Sequence, residues 1–398
     1  MEALTQDNFS IKLKLYFKQE QRSDPYVKKV GRQVLFQATT ENTPRNGEGT
    51  FLRLKDGRIM YLYTKFSGEK WFDHCNANIV AIYSSDEGET WGGERIIIGP
   101  NEIAQNHMCP NLVRADDGGI VLVYGEKHDT RRTTIPWCIC SYDEGETWTQ
   151  PVRCTSDEDG YYIKENDHMI KLSTGRIVLP INDHPLITKP DGSIGISSHG
   201  KLFFVASDDN GKTWFDLCEH ISIPFPETSN TGLQETTVYE LADGSLRAFS
   251  RTDLYCQYEC SSTDQGKTWT TPKPNRFFSS PTAPMLVRDV GDMTVAVFNP
   301  IPMYTTRYFT PDGRPTTAHS GKNGWGRTTY VMAVSRDGGR EFTELYWLED
   351  DDKEAFCYPA IFDGGDYILI AYYHANGSGI PLTSSKMIKV MKNELTGY

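Results

Sequence analysis

The chain has 398 residues, a net charge of −12 and 12% aromatic residues. The acidic balance argues against binding to nucleic acid or to anionic membranes. No apolar stretch approaches the ~20 residues that cross a bilayer, and residues 1–17 lack the basic and apolar regions of a signal peptide. Nine scattered cysteines favour reduced thiols, so we expect a cytoplasmic location.

Six predicted β-hairpins follow one another along the chain. In each, apolar and β-branched residues flank a turn of the Asp-Gly, Thr-Gly or Gly-Gly type, which is the usual signal for a hairpin. The six segments are 50–63, 110–124, 168–181, 237–250, 285–298 and 359–372. Such a recurrence predicts one supersecondary unit used repeatedly.

A second repeat, Ser-x-Asp-x-Gly-x-Thr-Trp, follows the hairpins. Its copies are residues 84–91, 141–148, 207–214 and 262–269, with a diverged copy at 335–342. The Asp is expected to accept backbone hydrogen bonds, the Gly to take a conformation that other residues resist, and the Trp to pack beneath the turn. These boxes lack the ligand count of a calcium loop, so they predict scaffold and no metal site.

Together the repeats predict an all-β fold, a six-bladed β-propeller that forms a single domain over residues 1–398. The sixth unit lacks one strand, which residues 10–17 or 33–38 can supply, and this closure removes an exposed sheet edge. A seven-bladed ring is the alternative, because segments 10–40 and 300–327 are long enough to contain further strands.

The innermost strands of a propeller begin at one mouth of its channel, so the residues there should converge. The six segments are 44–49, 105–110, 164–169, 232–237, 279–284 and 355–360, and five of them carry polar or charged side chains. A concave polar cup is a reasonable active site. Glu235, Tyr358, Arg251 and Arg327 are predicted to point into it, and two arginines suit an anionic substrate because guanidinium binds carboxylate with two parallel hydrogen bonds.

These segments resemble the sialidase (neuraminidase) superfamily and its box-bearing bacterial members. The resemblance extends from about residue 45 to 373 and is most specific in residues 234–269, where Glu235 precedes a Glu-Leu-x-Asp-Gly turn and Arg251. Residues 326–339 are similar to a segment with another binding arginine, here Arg327. Residues 357–362 resemble the stretch that carries a tyrosine nucleophile, here Tyr358.

The resemblance implies a retaining exo-glycosidase that needs neither cofactor nor metal. Residues 71–91 resemble the acid/base loop and imply Asp73 as the acid/base. A neutral tyrosine avoids the repulsion that a carboxylate nucleophile would meet from the carboxylate of sialic acid. Tyr358 would be that nucleophile, Glu235 its base, and Arg251 and Arg327 would hold the substrate carboxylate.

The sequence departs from the family where a third arginine is expected in an Arg-Ile-Pro motif. This chain has Pro-Arg-Asn-Gly-Glu-Gly at 44–49, which makes Arg45 the candidate and puts Glu48 at the same mouth. His107 and His168 are further candidates for substrate contact. Glu48 and the two histidines leave open an enzyme that acts on uronic-acid glycans by hydrolysis or elimination. A non-catalytic glycan-binding propeller is the other alternative.

Overall fold

Antiparallel strands form nearly all of the regular secondary structure in the computed structural model. It describes residues 27–128, 132–156, 160–300, 308–309, 315–316, 327, 329–351, 354–375 and 383–395. No helix in these ranges is long and apolar enough to span a membrane. The helical elements of the described residues are two single 3-10 turns, Pro226–Thr228 and Lys392–Glu394.

The strands are given in chain order. The first ten are β1 (Arg32–Gln37), β2 (Asn46–Arg53), β3 (Ile59–Phe66), β4 (Ala77–Ser84), β5 (Gly92–Ile98), β6 (Asn106–Arg114), β7 (Ile120–Lys127), β8 (Thr134–Ser141), β9 (Val152–Arg153) and β10 (Tyr162–Ile163). The next ten are β11 (Ile170–Lys171), β12 (Ile177–Asp183), β13 (Leu186–Thr188), β14 (Ile194–Ile196), β15 (Lys201–Ser207), β16 (Phe215–Asp216), β17 (Gln234–Glu240), β18 (Leu246–Arg251), β19 (Tyr258–Ser262) and β20 (Lys273–Pro274). The last nine are β21 (Leu286–Val290), β22 (Met293–Phe298), β23 (Tyr308–Phe309), β24 (Pro315–Thr316), β25 (Tyr330–Ser335), β26 (Glu344–Glu349), β27 (Ala355–Asp363), β28 (Tyr367–Ala375) and β29 (Ser384–Met391).

The strands assemble into a propeller-like series of sheets. Three four-stranded sheets have the orders β17-β18-β19-β20, β21-β22-β25-β26 and β1-β29-β28-β27. Another has the order β10-β12-β15-β16, with β11 also on β12. In the eight-stranded sheet, strands β2 to β5 and strands β6 to β9 meet through one parallel pairing, Ala77 with Asn106. Two small hairpins, β13-β14 and β23-β24, lie outside these sheets.

All six predicted hairpins are confirmed as antiparallel pairs: β2-β3, β6-β7, β11-β12, β17-β18, β21-β22 and β27-β28. The N-terminal strand also lies where one of the two predicted segments places it. Strand β1 pairs with β29, with Arg32 opposite Lys389 and Gln37 opposite Ser385. The other segment, 10–17, lies outside the described residues, as does most of 300–327.

The core lies between the faces of neighbouring sheets. One cluster packs Met60 and Leu62 of β3 against Leu122 of β7, and another packs Val121 of β7 against Ile177 of β12. Further clusters join the sheets of β12 and β18, of β18 and β22, and of β22 and β28. A last cluster packs β3 against β28, so the first and last sheets of the chain are in contact.

The five boxes form the predicted turns, which we call the box turns. In the four regular copies the Asp Oδ1 accepts the backbone N–H of the Thr at 2.8–2.9 Å. In all five, the Ser hydroxyl accepts the N–H of the Gly at 2.8–3.0 Å. Gly88 has φ +84°, and a Cβ there would lie 2.8 Å from Leu369 of a neighbouring sheet. The box turns therefore need glycine for conformation and for contact between sheets.

Candidate active site

Left-handed backbone recurs where the inner strands begin. Five non-glycine residues there have a φ between 43° and 58°, and we call them the mouth residues: Glu48, Cys109, Asp167, Glu235 and Tyr358. Register shifts in β2, β6, β17 and β27 accompany four of them. A β-bulge turns a side chain away from the alternation of its strand, and strained residues of this kind cluster at active sites.

Four mouth residues meet in one cup of about 500 Å³. The cup brings together seven of the nine site residues that the sequence predicts: Arg45, Glu48, Asp73, Glu235, Arg251, Arg327 and Tyr358. Asp167, the fifth mouth residue, is buried elsewhere, where it accepts hydrogen bonds from the Thr50 hydroxyl and the Ile361 N–H.

A phenol and a carboxylate face each other at the centre of the cup. The Tyr358 hydroxyl donates to Glu235 Oε1 at 2.9 Å, and Arg251 Nη1 lies 2.5 Å from the same oxygen. Glu235 Oε2 is buried without a partner among the described residues, so this oxygen can still accept a proton or a hydrogen bond. Burial and the charge of Glu235 raise the pKa of Tyr358 well above its usual value, which keeps the free phenol neutral.

Arg327 lies over Tyr358. Its guanidinium carbon is 5.2 Å from the ring centroid, and Nη2 is 3.4 Å from the phenol oxygen. Nε donates to the Thr282 carbonyl at 2.8 Å, and Arg251 Nε donates to the Pro281 carbonyl at 2.8 Å. Backbone carbonyls of a single loop therefore orient both arginines.

Arg45 belongs to a second charged cluster on the same cup. Its Nη2 donates to Glu48 Oε1 at 2.7 Å, its Nε donates to the Tyr373 hydroxyl at 2.7 Å, and its Nη1 donates to Asp73 Oδ1. The guanidinium also lies 4.6 Å from the ring centroid of Phe66. Arg45 is thus held in the cup as predicted, but two carboxylates already neutralise it.

Asp73 lies on the loop between β3 and β4, at the rim of the cup. Its backbone carbonyl accepts from Asn106 Nδ2 at 3.1 Å, while 58% of its side chain is exposed. Desolvation opposes ionisation, but the charge of Arg45 outweighs it and lowers the pKa of Asp73 well below its usual range. Asp73 beside Arg45 is therefore a carboxylate at neutral pH.

The two predicted histidines lie outside the cup lining, which corrects their interpretation as substrate contacts. His107 is fully buried with Nε2 3.2 Å from Glu126 Oε2. His168 is also fully buried, and its ring nitrogens face the carbonyls of Asn166 and Met285 at 2.6 and 3.3 Å. Both residues lie on the mouth segments, but their side chains point into protein interior, which sequence position alone does not reveal.

The cup contains residues that the sequence analysis did not single out. Among them are Trp71, Phe72, Cys109, Lys127, Tyr161, Lys164, Glu165 and His184, with Tyr373 behind Arg45. Cys109, Lys164 and Glu165 belong to mouth segments, so the hairpin register could have found them. Lys127 is the last residue of β7, as Arg251 is the last residue of β18. This shared position in the hairpin could have predicted that Lys127 lies at the cup. No group of His, Cys, Asp and Glu side chains in the described ranges could hold a metal ion.

The sheets and the cup define a propeller-like protein whose inner strands meet at a charged, partly buried site. The family model of the BNR repeat-like domain matches residues 71–370 of this chain. The chain therefore belongs to that family and, with it, to the sialidase superfamily.

Individual proteins show the same similarity. A sialidase from Paraclostridium sordellii is 27% identical over 250 residues, which cover 57% of this chain. The chain spans about half, 55%, of that relative's length. The intramolecular trans-sialidase from Ruminococcus gnavus has a TM-score of 0.67 at 13% identity, covering 92% of this chain and 98% of that one. The NanB sialidase from Streptococcus pneumoniae has a TM-score of 0.65 at 14% identity, covering 92% and 71%. At these identities the solved structures show the fold.

Proposed function

We propose that this protein is a retaining exo-glycosidase of sialidase type, which removes a terminal sialic acid or related ulosonic acid from a glycan. The observation that carries the proposal is the Tyr358 hydroxyl 2.9 Å from Glu235, with Arg251 and Arg327 beside the pair. Tyrosine-nucleophile sialidases are a known exception to the two-carboxylate scheme of glycosidases. The sialidase from P. sordellii, 27% identical, supports the same class.

We also infer that the sheets form a six-bladed propeller. The inference counts strands β2 to β5 and strands β6 to β9 as separate blades, because one residue pair joins them. The contact of β3 with β28 supports closure of the ring, and the pairing of β1 with β29 supplies the fourth strand of the last blade.

The first half of the reaction would form a glycosyl-tyrosine. Arg251 and Arg327 bind the substrate carboxylate beside the anomeric carbon. The Tyr358 oxygen attacks that carbon while Glu235 takes the phenolic proton, and the bond to the leaving oxygen breaks as Asp73 protonates it. A neutral phenol approaches the carboxylate-bearing carbon without the repulsion that a carboxylate would meet.

The second half would release the sugar acid. Asp73, now a carboxylate, takes a proton from water, whose oxygen attacks the anomeric carbon. The bond to Tyr358 breaks, and Glu235 returns the proton to the phenolate.

Protonation of Asp73 depends on Arg45 in this scheme. The pairing with Arg45 keeps Asp73 ionised. A substrate carboxylate that binds Arg45 competes for the same guanidinium, weakens its pairing with Asp73 and lets the pKa of Asp73 rise toward the value that an acid catalyst needs. Arg45 would therefore couple substrate binding to the acid step.

The alternative of uronic-acid chemistry loses part of its support. His107 and His168 were two of the three residues that favoured it, and both lie outside the cup lining. Glu48 remains in the cup, but it pairs with Arg45 at 2.7 Å.

The test is turnover of a fluorogenic α-sialoside by the wild type, Tyr358→Phe and Tyr367→Phe. Tyr367 is a matched control because its hydroxyl binds Glu87, outside the cup lining. We expect turnover in the wild type and the control and its loss in Tyr358→Phe. A folded wild type that cleaves neither sialosides nor other ulosonic-acid glycosides would contradict the proposal.

A second experiment tests Asp73. The methylumbelliferyl leaving group needs little protonation, whereas the sugar hydroxyl of a natural sialoside needs full protonation. Asp73→Ala should therefore impair cleavage of a sialyl-oligosaccharide more strongly, by a further ~10- to 100-fold. Equal losses on both substrates would exclude Asp73 as the acid.

A further inference from the structure

One wall of the cup takes no part in the proposed reaction. The reacting pair and the arginines come from β17, β18 and β27, from the segment before β2 and from the segment before β25. A second part of the lining comes from the end of β7 and from residues 161–165, and its charged members are Lys127, Lys164 and Glu165. A sugar whose carboxylate lies on Arg251 and Arg327 can place other substituents on this second part, which belongs to other sheets.

The ammonium group of Lys127 is buried without an ion-pair partner among the described residues. Lys127 is only 7% exposed and lines the cup, yet its Nζ makes neither a hydrogen bond nor an ion pair with any described residue. The ring centroid of Tyr161 lies 5.9 Å from Nζ. A buried ammonium is costly unless it is paired. Desolvation opposes the charge, but Tyr161 and Asp73 outweigh it and raise the pKa of Lys127.

The neighbouring residues add positive charge to this wall. Lys164 is 3% exposed and donates to the Cys109 carbonyl, and burial lowers its pKa to about 8, so it is mainly charged at neutral pH. Burial and the charges of Glu235 and Glu48 raise the pKa of Glu165 well above the usual range. The wall therefore has two lysines beside a carboxyl group whose ionisation is disfavoured.

The other cations of the cup differ from Lys127. Arg45 binds Glu48 and Asp73, and Arg251 binds Glu235. Arg327 and Lys164 donate to backbone carbonyls. Of the five cationic side chains that line the cup, Lys127 is therefore the one whose charged group has no hydrogen-bond partner among the described residues.

We propose that Lys127, with Lys164 beside it, binds a second anionic group of the substrate, a sulfate ester or carboxylate on the end of the sugar farthest from its anomeric carboxylate. This rests on the proposed function and specifies its substrate as a doubly acidic sugar. A neutral hydroxylated chain could accept hydrogen bonds from the two ammonium groups, but it would leave Nζ of Lys127 without an ion-pair partner.

The test compares two methylumbelliferyl α-sialosides that differ only by a sulfate ester on the glycerol chain. We expect the wild type to prefer the sulfated substrate in kcat/KM, and Lys127→Met to reduce that preference by ~10- to 100-fold, the value of one hydrogen bond between charged groups. Lys171→Met is the matched control, since Lys171 pairs with Asp116 outside the cup lining. The proposal would be overturned if the wild type had the higher kcat/KM on the unsulfated substrate, or if Lys127→Met lowered kcat/KM equally on both substrates.

Binding separates this proposal from the proposed function. Calorimetry with free sialic acid and its sulfated form needs no turnover. If Lys127→Met weakens binding of the sulfated acid but not of free sialic acid, the proposed site for a second anionic group is supported even if no glycoside is cleaved. Equal affinities of the wild type for the two acids would refute it even if sialosides are cleaved.

Discussion

The box turns and the mouth residues are both fivefold repeats, but they repeat different things. The box turns repeat their side chains, and the Ser hydroxyl accepts the Gly N–H at 2.8–3.0 Å in all five copies. The mouth residues repeat only their backbone, with φ between 43° and 58°, and four residue types occupy the five positions. The side chains of the box turns recur because they stabilise the turn. The side chains of the mouth residues do not hold the backbone in this way, so they can differ and form a site.

The largest expected effect is on kcat, and it tests whether a mouth residue is catalytic while another residue of the same strand is not. Glu235 and Glu240 are at opposite ends of β17, and Glu240 binds Ser173 outside the cup lining. Glu235→Gln should lower kcat by about 1000-fold, since the amide cannot take the phenolic proton. Glu240→Gln should leave kcat close to the wild-type value. Steady-state kinetics on the fluorogenic sialoside decide this, and similar losses in both variants would abolish the distinction.

The next largest effect concerns the arginines that accompany the mouth residues. Arg251→Lys keeps the charge but removes the planar pair of donors, so kcat/KM should fall by roughly 10- to 100-fold. Arg247→Lys is the control on the same strand, where Arg247 pairs with Glu259 at 2.8 Å. If Arg251→Lys retains full kcat/KM, two-point recognition of a carboxylate at this position is wrong.

A third prediction concerns Asp167 and His168, where the mouth geometry serves packing. The pKa of His168 falls from its ordinary 6.5 to about 4, because burial disfavours the cation. Between pH 6.5 and pH 4 this histidine is protonated in the unfolded chain but not in the folded chain. The free energy of unfolding that is present above pH 6.5 is therefore lost as the pH falls toward 4. By pH 5 this histidine alone should cost about 2 kcal/mol of unfolding free energy.

Urea unfolding at pH 7.5 and pH 5 measures that cost. His168→Asn should be less stable than the wild type at pH 7.5 but lose less on acidification. His220→Gln serves as control for the loss of an imidazole, because His220 is 44% exposed, and the acid loss that His168 causes should persist in this variant. An unchanged dependence in His168→Asn would show that other groups cause the acid loss.

The smallest effect is expected at a box turn. Asp209 accepts from the N–H groups of Lys212 and Thr213 and from two hydroxyls, so Asp209→Ala should lower the unfolding free energy by about 1–2 kcal/mol. Activity per folded molecule should persist. Asp208→Ala removes only the exposed pair with Arg176 and should cost less than about 1 kcal/mol. A loss of kcat in Asp209→Ala at equal folded fraction would make the boxes part of the site.

Much of the site could be predicted because the repeats fix which strand ends meet. Glu235, Arg251 and Tyr358 occupy recurring positions of their hairpins, and the structure brings them into one cup. His107 and His168 have similar positions in sequence, but they point into the interior. Side-chain direction at a bulge depends on which residue takes the left-handed conformation, and the strand pattern does not encode that choice.

The sequence by itself determined the hairpins, the box turns and the strand ends that meet, because alternation, turn residues and repeats are local properties. Only the tertiary structure decided the electrostatics of the cup. The bond of Arg45 to Tyr373 joins the segment before β2 to β28 of another sheet, and the pairing of Arg45 with Asp73 needs the loop after β3 to fold back toward β2. That Lys127 has no counter-ion among the described residues depends on which segments line the cup around it. Charge balance in a buried site is set by distances between segments far apart in the chain, which no local pattern specifies.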